Sequence, residues 1–369
     1  MKWFGRKAAP SARPLLLAGW AHRFAAEPWP RSYEAQVREA YLANPIAQRA
    51  VRLVAESVAW APVFAAEDRD ERAVALVTPG LLETVATQLL LHGNAFVQLL
   101  QDGEGMPAEA YPLRPERVTI EPDAGGWPAA YLYKVGEAKR RIAARDGLGR
   151  PGLVHLKAAH PLDDHYGLGC LGAAAAAVAV HNEAGRWNKA LLDNAARPSG
   201  ALVYEGEGAA LSAAQFERLR SELEAQFSGR ENAGRPLLLE GGLSWQALSL
   251  TPAEMDFAGL KAGAAREIAL AFGVPPMLLG LPGDSTYANY REANRALWRL
   301  TVLPMAARIL AGLSAALAAW WPGLRLEVDV DRISALAAER ERLWRQVSAA
   351  DFLSDAEKRE MLGFGPRAA

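Results

Sequence analysis

The sequence predicts an α+β fold, and three observations carry that reading. Residues 32–92 hold capped, helix-spaced apolar stretches. A series of short strand-like segments follows, up to residue 157. Two long helices rich in small residues, at 170–197 and 251–272, then flank a compact β-rich insert. The chain has 369 residues, long enough for a sizeable core and two or three domains. An apolar content of 51% excludes a disordered chain.

Each element has a local reason. Lys2, Arg6, Lys7 and Arg13 precede a brief apolar run, "LLLAGWA", too short for a secretory leader and without a clean cleavage site. Residues 1–25 are therefore expected to form an arm. "YEAQVREAYLAN" ends at Asn44-Pro45, because proline disfavours helix in the residue before it. Pro45 then starts a helix with Ile46, Val51, Val54 and Val58 on one side. Thr78-Pro79 opens another, which closes at His92-Gly93. "AFVQLLQ", "AEAYPLR", "RVTIEP", "AAYLYKV" and "GLVHLK" read as strands of an antiparallel sheet, separated by glycine- and proline-rich turns.

From Cys170 to Pro198 one helix is expected, then a strand "GALVYE", a helix with a Ser212/Gln215 capping box, and two strands around Gly241-Gly242. A capping box at Thr251–Glu254 starts a helix that spaces Phe257, Leu260, Ala264, Ile268 and Phe272 on one face. The insert of ~50 residues is near the lower limit for an independent domain. At the end come a strand with Leu324, Leu326, Val328 and Val330, an amphipathic helix, and a short helix boxed by Ser354 and Glu357.

Charge nearly cancels, 41 Lys+Arg against 42 Asp+Glu, so the net field gives no strong hold on phosphate. Cys170 is the only cysteine, which excludes an intrachain disulfide. The apolar run "ILAGLSAALAAWW" is too short to span a bilayer and is abutted by Arg308. "GLGCLG" (167–172) matches G-x-G-x-x-G, but polar residues precede it, and the acid expected about 20 residues on would be Asp193, inside a helix. His155, His160 and His165 with Asp163 and Asp164 compose a possible metal cluster, although spacing by five puts no pair on one helical face. A metal-dependent enzyme using His155, His160, Asp164 and His165 is therefore the alternative reading. No nucleophile elbow, P-loop or zincin motif occurs, and no catalytic residue is assigned.

Small side chains let the two long helices approach neighbours closely. Their other faces carry His181, Asn182, Glu183, Arg186, Lys189, Asp193, Lys261, Arg266 and Glu267. Such helices can pack side by side into a ring, and the same pattern equally fits a helical hairpin within a monomer. Between them and the next helix lies "AFGVPPMLLGLPGDSTYANYREANRALWRLTVLP", a glycine- and proline-rich turn leading into a polar loop.

The order of "HPLDDHYGLGCLGAA", "NAARPSGALVYEG", "LSAAQFERLRSEL", "ENAGRPLLLEGGLSWQAL", "MDFAGLKAGAAREIALAFGVPPMLLG" and "STYANYREANRALWRLTVLPMAARI" resembles tailed-phage portal proteins, most of all the short siphovirus-type portals also found in gene transfer agents. The likeness runs from about residue 40 to 366, and E-I-A-x-x-F-G-V-P-P followed by T-Y-A-N is its specific part. It implies an α/β wing at 26–168, stem helices at 169–197 and 251–275, and a β-α-β-β clip at 198–250. It further implies a tunnel loop and wing helix at 276–322 and a C-terminal wing or crown segment at 323–369. The implied assembly is a ring of twelve copies at one capsid vertex, used in DNA packaging, head–tail joining and DNA ejection. Its implied partners are the major capsid protein, the terminase large subunit, a head-completion adaptor and double-stranded DNA held without sequence preference. No membrane and no cofactor is expected. The residues implied to line the DNA channel are Asp284, Ser285, Thr286, Tyr287, Asn289, Arg291 and Arg295 in the tunnel loop, and Arg186, Lys189, Lys261 and Arg266 are the residues singled out on the stem.

Overall fold

The computed structural model describes residues 32–65, 71–193, 200–204, 212–214, 216–218, 220–221, 243–247, 256–281 and 286–363. The expected arm at 1–25, the first strand of the Gly241-Gly242 pair, Gln215 and the Thr251–Glu254 box lie outside them. The chain divides into two compact units, one of Met1–Ala174 with Ala269–Ala369, the other of Ala175–Ile268.

In the first unit, α1 (Tyr33–Gln36) runs into a π-helical turn, Val37–Leu42. Helix α2 (Pro45–Ala59) begins where Asn44 Oδ1 accepts from the backbone N–H of Ile46 and Ala47, both at 3.0 Å. Its buried face includes Val51, Val54 and Val58. The short β1 (Val63–Ala65) and α3 (Glu71–Ala75) follow. Helix α4 (Pro79–Leu91) starts as expected, with Thr78 Oγ1 accepting from Leu81 N at 3.2 Å.

The predicted single sheet is two three-stranded antiparallel sheets. One has the order β3 (Pro107–Leu113), β2 (Asn94–Gln101), β7 (Leu153–Lys157). The other has the order β4 (Val118–Pro122), β5 (Pro128–Val135), β6 (Ala138–Ala143). Phe96, Leu113 and Leu153 from the first sheet meet Val118, Ile120, Tyr131 and Ile142 from the second in one buried cluster. Three connections share one device, Asp-x-x-Gly. The carboxylates of Asp102, Asp123 and Asp146 each accept backbone N–H groups two and four residues on, at 2.8–2.9 Å. The closing Gly105, Gly126 and Gly149 sit at φ of 76°, 82° and 77°, where a side chain would be strained.

In the second unit, most of α5 (Leu171–Asp193) and of α6 (Phe257–Ala271) brackets a two-stranded sheet of β8 (Gly200–Tyr204) and β9 (Leu243–Ala247). Residues 216–218 between these strands are helical, in line with the expected helix. Leu171, Ala174, Ala177, Val178, His181 and Ala184 form the buried stripe of α5, at helical spacing.

Back in the first unit, α7 (Tyr287–Leu297), a π-helical turn (Trp298–Val302) and α8 (Leu303–Leu317) form one continuous helical run. Pro304 has no N–H to give the helical ladder, and the wider turn before it absorbs the loss. The run corrects one expectation. From Tyr287 to Leu317 it has 31 residues and is long and apolar enough to cross a membrane. Its apolar side is instead occupied within the protein. Val302, Ala306, Ile309, Leu310, Leu313 and Leu317 are buried, and α8 packs on α2, α4 and β7. β10 (Leu326–Val328) pairs antiparallel with β1, and Val330 already belongs to the next 3-10 turn. Helix α9 (Ala337–Ser348) and helix α10 (Asp355–Met361) close the chain, the latter with the expected Ser354/Glu357 box.

Candidate nucleic-acid interface

Local chemistry stops α6 and starts α7. Gly273, at φ 66°, ends α6, and Val274 N returns to Ala269 O at 2.9 Å. Thr301, on the π-helical turn, donates its hydroxyl to Gly273 O at 2.6 Å and so ties the stop to the following helix. Pro275 and Pro276 then enforce a 3-10 turn, Pro276–Leu279. Asp284 and Ser285 lie outside the described residues.

Thr286 caps α7, its hydroxyl accepting from Asn289 N at 3.2 Å. Residues 286–292 are exposed all round. The Arg291 guanidinium lies over the Tyr287 ring, 5.5 Å from its centre. Among the described residues Arg291 has no ion pair, whereas Arg295 pairs with Glu292 one turn earlier. The two arginines therefore differ: one is a solvated cation on an aromatic face, the other is largely neutralised. The first turn of α7 holds no acid, so the helix dipole leaves its start weakly positive. Sequence reasoning missed Tyr290, which is 51% exposed and three residues from Tyr287, on the same side. The spacing 287, 290, 291 was the available signal.

On the second unit, the proposed positive residues are mostly answered locally. Arg186 pairs with Glu183, and Lys189 with Asp193, both within α5. Arg266 donates to Ala262 O at 3.3 Å on its own helix. Lys261 faces α5 near Gly185. Burial, helped by the Lys261 charge, holds the His181 imidazole below its ordinary pKa. Trp187 stacks on Phe257 with ring centres 5.9 Å apart, which fixes α5 against the start of α6.

The histidine cluster has structural uses. His155 stacks on Phe96 at 4.3 Å and donates through Nε2 to Asn94 Oδ1 at 3.0 Å. Burial pushes its pKa down to about 3, with help from the Lys157 charge. His160 accepts from Leu162 N through Nδ1, and His165 Nε2 donates to Gly126 O at 2.6 Å. Asp163 accepts from His165 N and Tyr166 N, and the Asp164 carbonyl takes the Lys157 ammonium. Among the described residues no group of three His, Cys, Asp or Glu side chains is placed to hold a metal ion. The metal-enzyme alternative has no support. Burial also raises the Cys170 thiol pKa, the setting of a packed rather than a reactive sulfur.

"GLGCLG" has a packing role as well. A Cβ on Gly167 would lie 2.1 Å from Gly93 O, and one on Gly169 would lie 2.4 Å from Leu91 O. The fully buried Asn94 side chain locks this crossing. It accepts from Gly167 N at 2.7 Å, donates to Gly167 O at 3.1 Å, and donates to His92 Nδ1 at 3.1 Å.

Comparison with known proteins bears on what such surfaces serve. The family model described as "Phage portal protein" matches residues 45–363. A chain from the virion of a native gene transfer agent particle is 46% identical, with a TM-score of 0.70, covering 91% of this chain and 94% of its own. A chain from the neck of a native gene transfer agent particle, computed with C12 symmetry, is 45% identical, with a TM-score of 0.70 and coverage of 92% and 95%. A protein of Rickettsia felis (strain ATCC VR-1525 / URRWXCal2) is 41% identical over 351 residues, 89% of this chain and 88% of its own.

Proposed function

The chain belongs to the phage portal protein family, and on that premise we propose that twelve copies close into a DNA conduit at one capsid vertex. It is a portal protein of a virion or phage-like particle, and it works as part of a self-assembled ring. The observation that carries this reading is the 45% identity, over 92% of the chain, with a protein in a neck of C12 symmetry. Cyclic closure needs two different, complementary faces on each subunit. Within the ring, residues 26–168 form the wing, 169–197 and 251–275 the two stem helices, 198–250 the clip, 276–322 the tunnel loop and wing helix, and 323–369 a C-terminal wing or crown segment.

The clip faces the terminase large subunit during packaging and a head-completion adaptor afterwards, while the wing meets the major capsid protein. The protein has no catalysis of its own, and the terminase supplies the work. The loop before α7 and the first turns of that helix line the bore. Thr286, Tyr287, Asn289 and Arg291 there give duplex DNA brief polar and aromatic contacts without reading its sequence. That chemistry suits sliding. Each neutralised phosphate adds affinity, so a bore of strong clamps would stall the duplex. Asp284, Ser285 and Arg295 complete the loop segment, with the Arg295 charge tempered by Glu292. Arg186, Lys189, Lys261 and Arg266 give the stem a polar surface with little net positive field.

Deleting residues 283–288 tests the reading. Rings with a central hole should still assemble in electron micrographs, while particles made with the variant package or retain less DNA. Full packaging with the deletion removes the loop from the bore, and a protein that never forms rings, in particles or out of them, removes the conduit itself.

A further inference from the structure

The hairpin of β5 and β6 carries more cations than acids meet. Residues 134–145 hold five basic side chains, Lys134, Lys139, Arg140, Arg141 and Arg145, against one acid, Glu137, in a chain of formal charge −1. Two of the five are engaged: Arg141 pairs with Glu121 at 2.7 Å, and Arg145 donates to Gly149 O at 2.6 Å. Among the described residues Lys134, Lys139 and Arg140 have no ion pair, and all three are exposed.

The register sets the two lysines side by side. Gly136, at φ 57°, and Glu137 make the two-residue turn, and Lys134 stands directly opposite Lys139. Ala144 N bonds to Ala129 O at 3.0 Å, which fixes the phase of the ladder. Bonded and non-bonded pairs alternate from there, so the lysines form a non-bonded pair, with Cβ atoms about 4.5–5.5 Å apart. Like charges so placed destabilise a sheet. An anion held between them reverses the sign of that interaction. Thr119 and Arg141 flank Leu132 across the sheet, two residues from Lys134, and so extend the same face with a hydroxyl and a guanidinium.

We propose that this face of the β5–β6 hairpin binds the phosphate backbone of duplex DNA, at a surface separate from the bore. The sheet packs on the Pro115–Arg117 turn and on the first sheet, whereas α7 lies against the turns at 276–279 and 334–336. The chemistry favours phosphate over an acidic protein. Protein interfaces are depleted in lysine and anchored by buried aromatic side chains. The lysines' face holds no aromatic residue, and its large apolar member, Leu132, is half-buried. Ammonium groups act on phosphate as point charges, which position a duplex without reading its sequence. The two surfaces thus divide the work: the tip of α7 lets the duplex slide, and the hairpin holds it. That the polyanion is duplex DNA rests on the portal reading; the unpaired lysines do not.

Anisotropy of a short labelled duplex, titrated with full-length protein over a range of salt, tests this. Lys134→Gln/Lys139→Gln should weaken binding at least about tenfold and lower the slope of log K against log salt by about 2. Its melting temperature without DNA should equal or exceed that of wild type, which reports an intact fold. Lys134→Arg/Lys139→Arg should bind like wild type. Arg308→Gln/Arg342→Gln takes the same charge from exposed helix surface and should change neither affinity nor slope. No loss in the lysine variant, or an equal loss in the Arg308/Arg342 variant, overturns the proposal. Duplex DNA, with one charge per about 1.7 Å, should also outcompete polyglutamate at equal charge. Polyglutamate that competes equally reassigns the face to an acidic protein and overturns the DNA contact. Micrographs separate this from the conduit. Rings whose lysine variant binds DNA like wild type remove the hairpin contact alone, and protein that binds through the hairpin but never forms rings removes the conduit alone.

Discussion

The indole N–H of Trp320 donates to the carbonyl of Gly105 at 2.8 Å, joining residues 215 positions apart. Arg150 lies over the same indole at 5.6 Å and donates to the same carbonyl at 3.3 Å. One oxygen thus ties the tips of two Asp-x-x-Gly hairpins to the segment that follows α8. Trp320→Phe keeps the ring under Arg150 and removes one donor. The expected loss is about 1 kcal/mol, or roughly 2–4 °C in melting temperature. Trp320→Ala removes the stacking surface too and should cost clearly more. Equal melting of Trp320→Phe and wild type would mean that Arg150 alone satisfies the carbonyl.

Acid sensitivity follows from two buried imidazoles. Burial pushes His92 down to about 4 and His155 to about 3. In the unfolded chain both titrate near 6.5. Below that pH the unfolded state binds more protons, so stability falls as pH falls. The expected slope is about 1.4 kcal/mol per pH unit for each histidine between about pH 6.5 and 4. Above pH 7 these two groups contribute no slope. Denaturant melts from pH 4.5 to 7.5 check this, and His155→Phe should flatten the curve by one group's share. An unchanged curve would mean that His155 is protonated in place.

Two glycines five residues apart should behave oppositely. Gly167→Ala drives a methyl into the backbone at Gly93 O and Ala158, neither of which can rotate away. It should cost about 3 kcal/mol or more and reduce soluble yield. Gly172 is on exposed helix with open space where a Cβ would sit. Gly172→Ala should raise stability by about 0.5–1 kcal/mol. Thermal melts of the pair decide it, and a tolerated Gly167→Ala would show that the crossing relaxes.

Assembly and folding can be separated on α5. Ala177 is buried within the subunit and Ala176 is exposed, as is Ala173. Val180 and Trp187 on the same open side are 40% and 45% exposed, apolar surface suited to a neighbouring subunit. Ala177→Glu should lower the melting temperature of the subunit itself, because its charge is buried without a partner. Ala176→Glu should melt like wild type but stay unassembled in light scattering. Normal rings from Ala176→Glu would move the lateral contact to another face.

Much of this architecture was written locally. The starts of α2, α4 and α10 are legible because Asn44, Thr78 and Ser354 satisfy helix-end N–H groups from within a few residues. What the sequence hid depends on distance or on exposure. β6 carries no legible strand signal, because Ala138, Lys139, Arg140 and Arg141 are all exposed and only Ile142 is buried. The split into two sheets depends on β2 pairing with β7, across some 60 residues, and no local pattern encodes that. His155 looked like a ligand because spacing shows neither its stack on Phe96 nor its bond to Asn94. Tyr287 and Arg291 are both exposed, but nothing local in the sequence tells Arg291, on an aromatic ring, from Arg295, beside a carboxylate.

The π-helical turn at 298–302 has a further consequence. It holds one residue beyond the α-helical ladder, and one residue is about 100° of rotation on a helix. It acts as a phase shifter between a shaft anchored in the body and a tip that is solvated all round. Excising a single residue there would leave both helices intact yet turn the tip by more than a quarter-circle, so that Tyr287 and Arg291 aim elsewhere. The heading of those side chains is set a full helical turn or more away from them, at the one place in the shaft where Pro304 forbids regular winding.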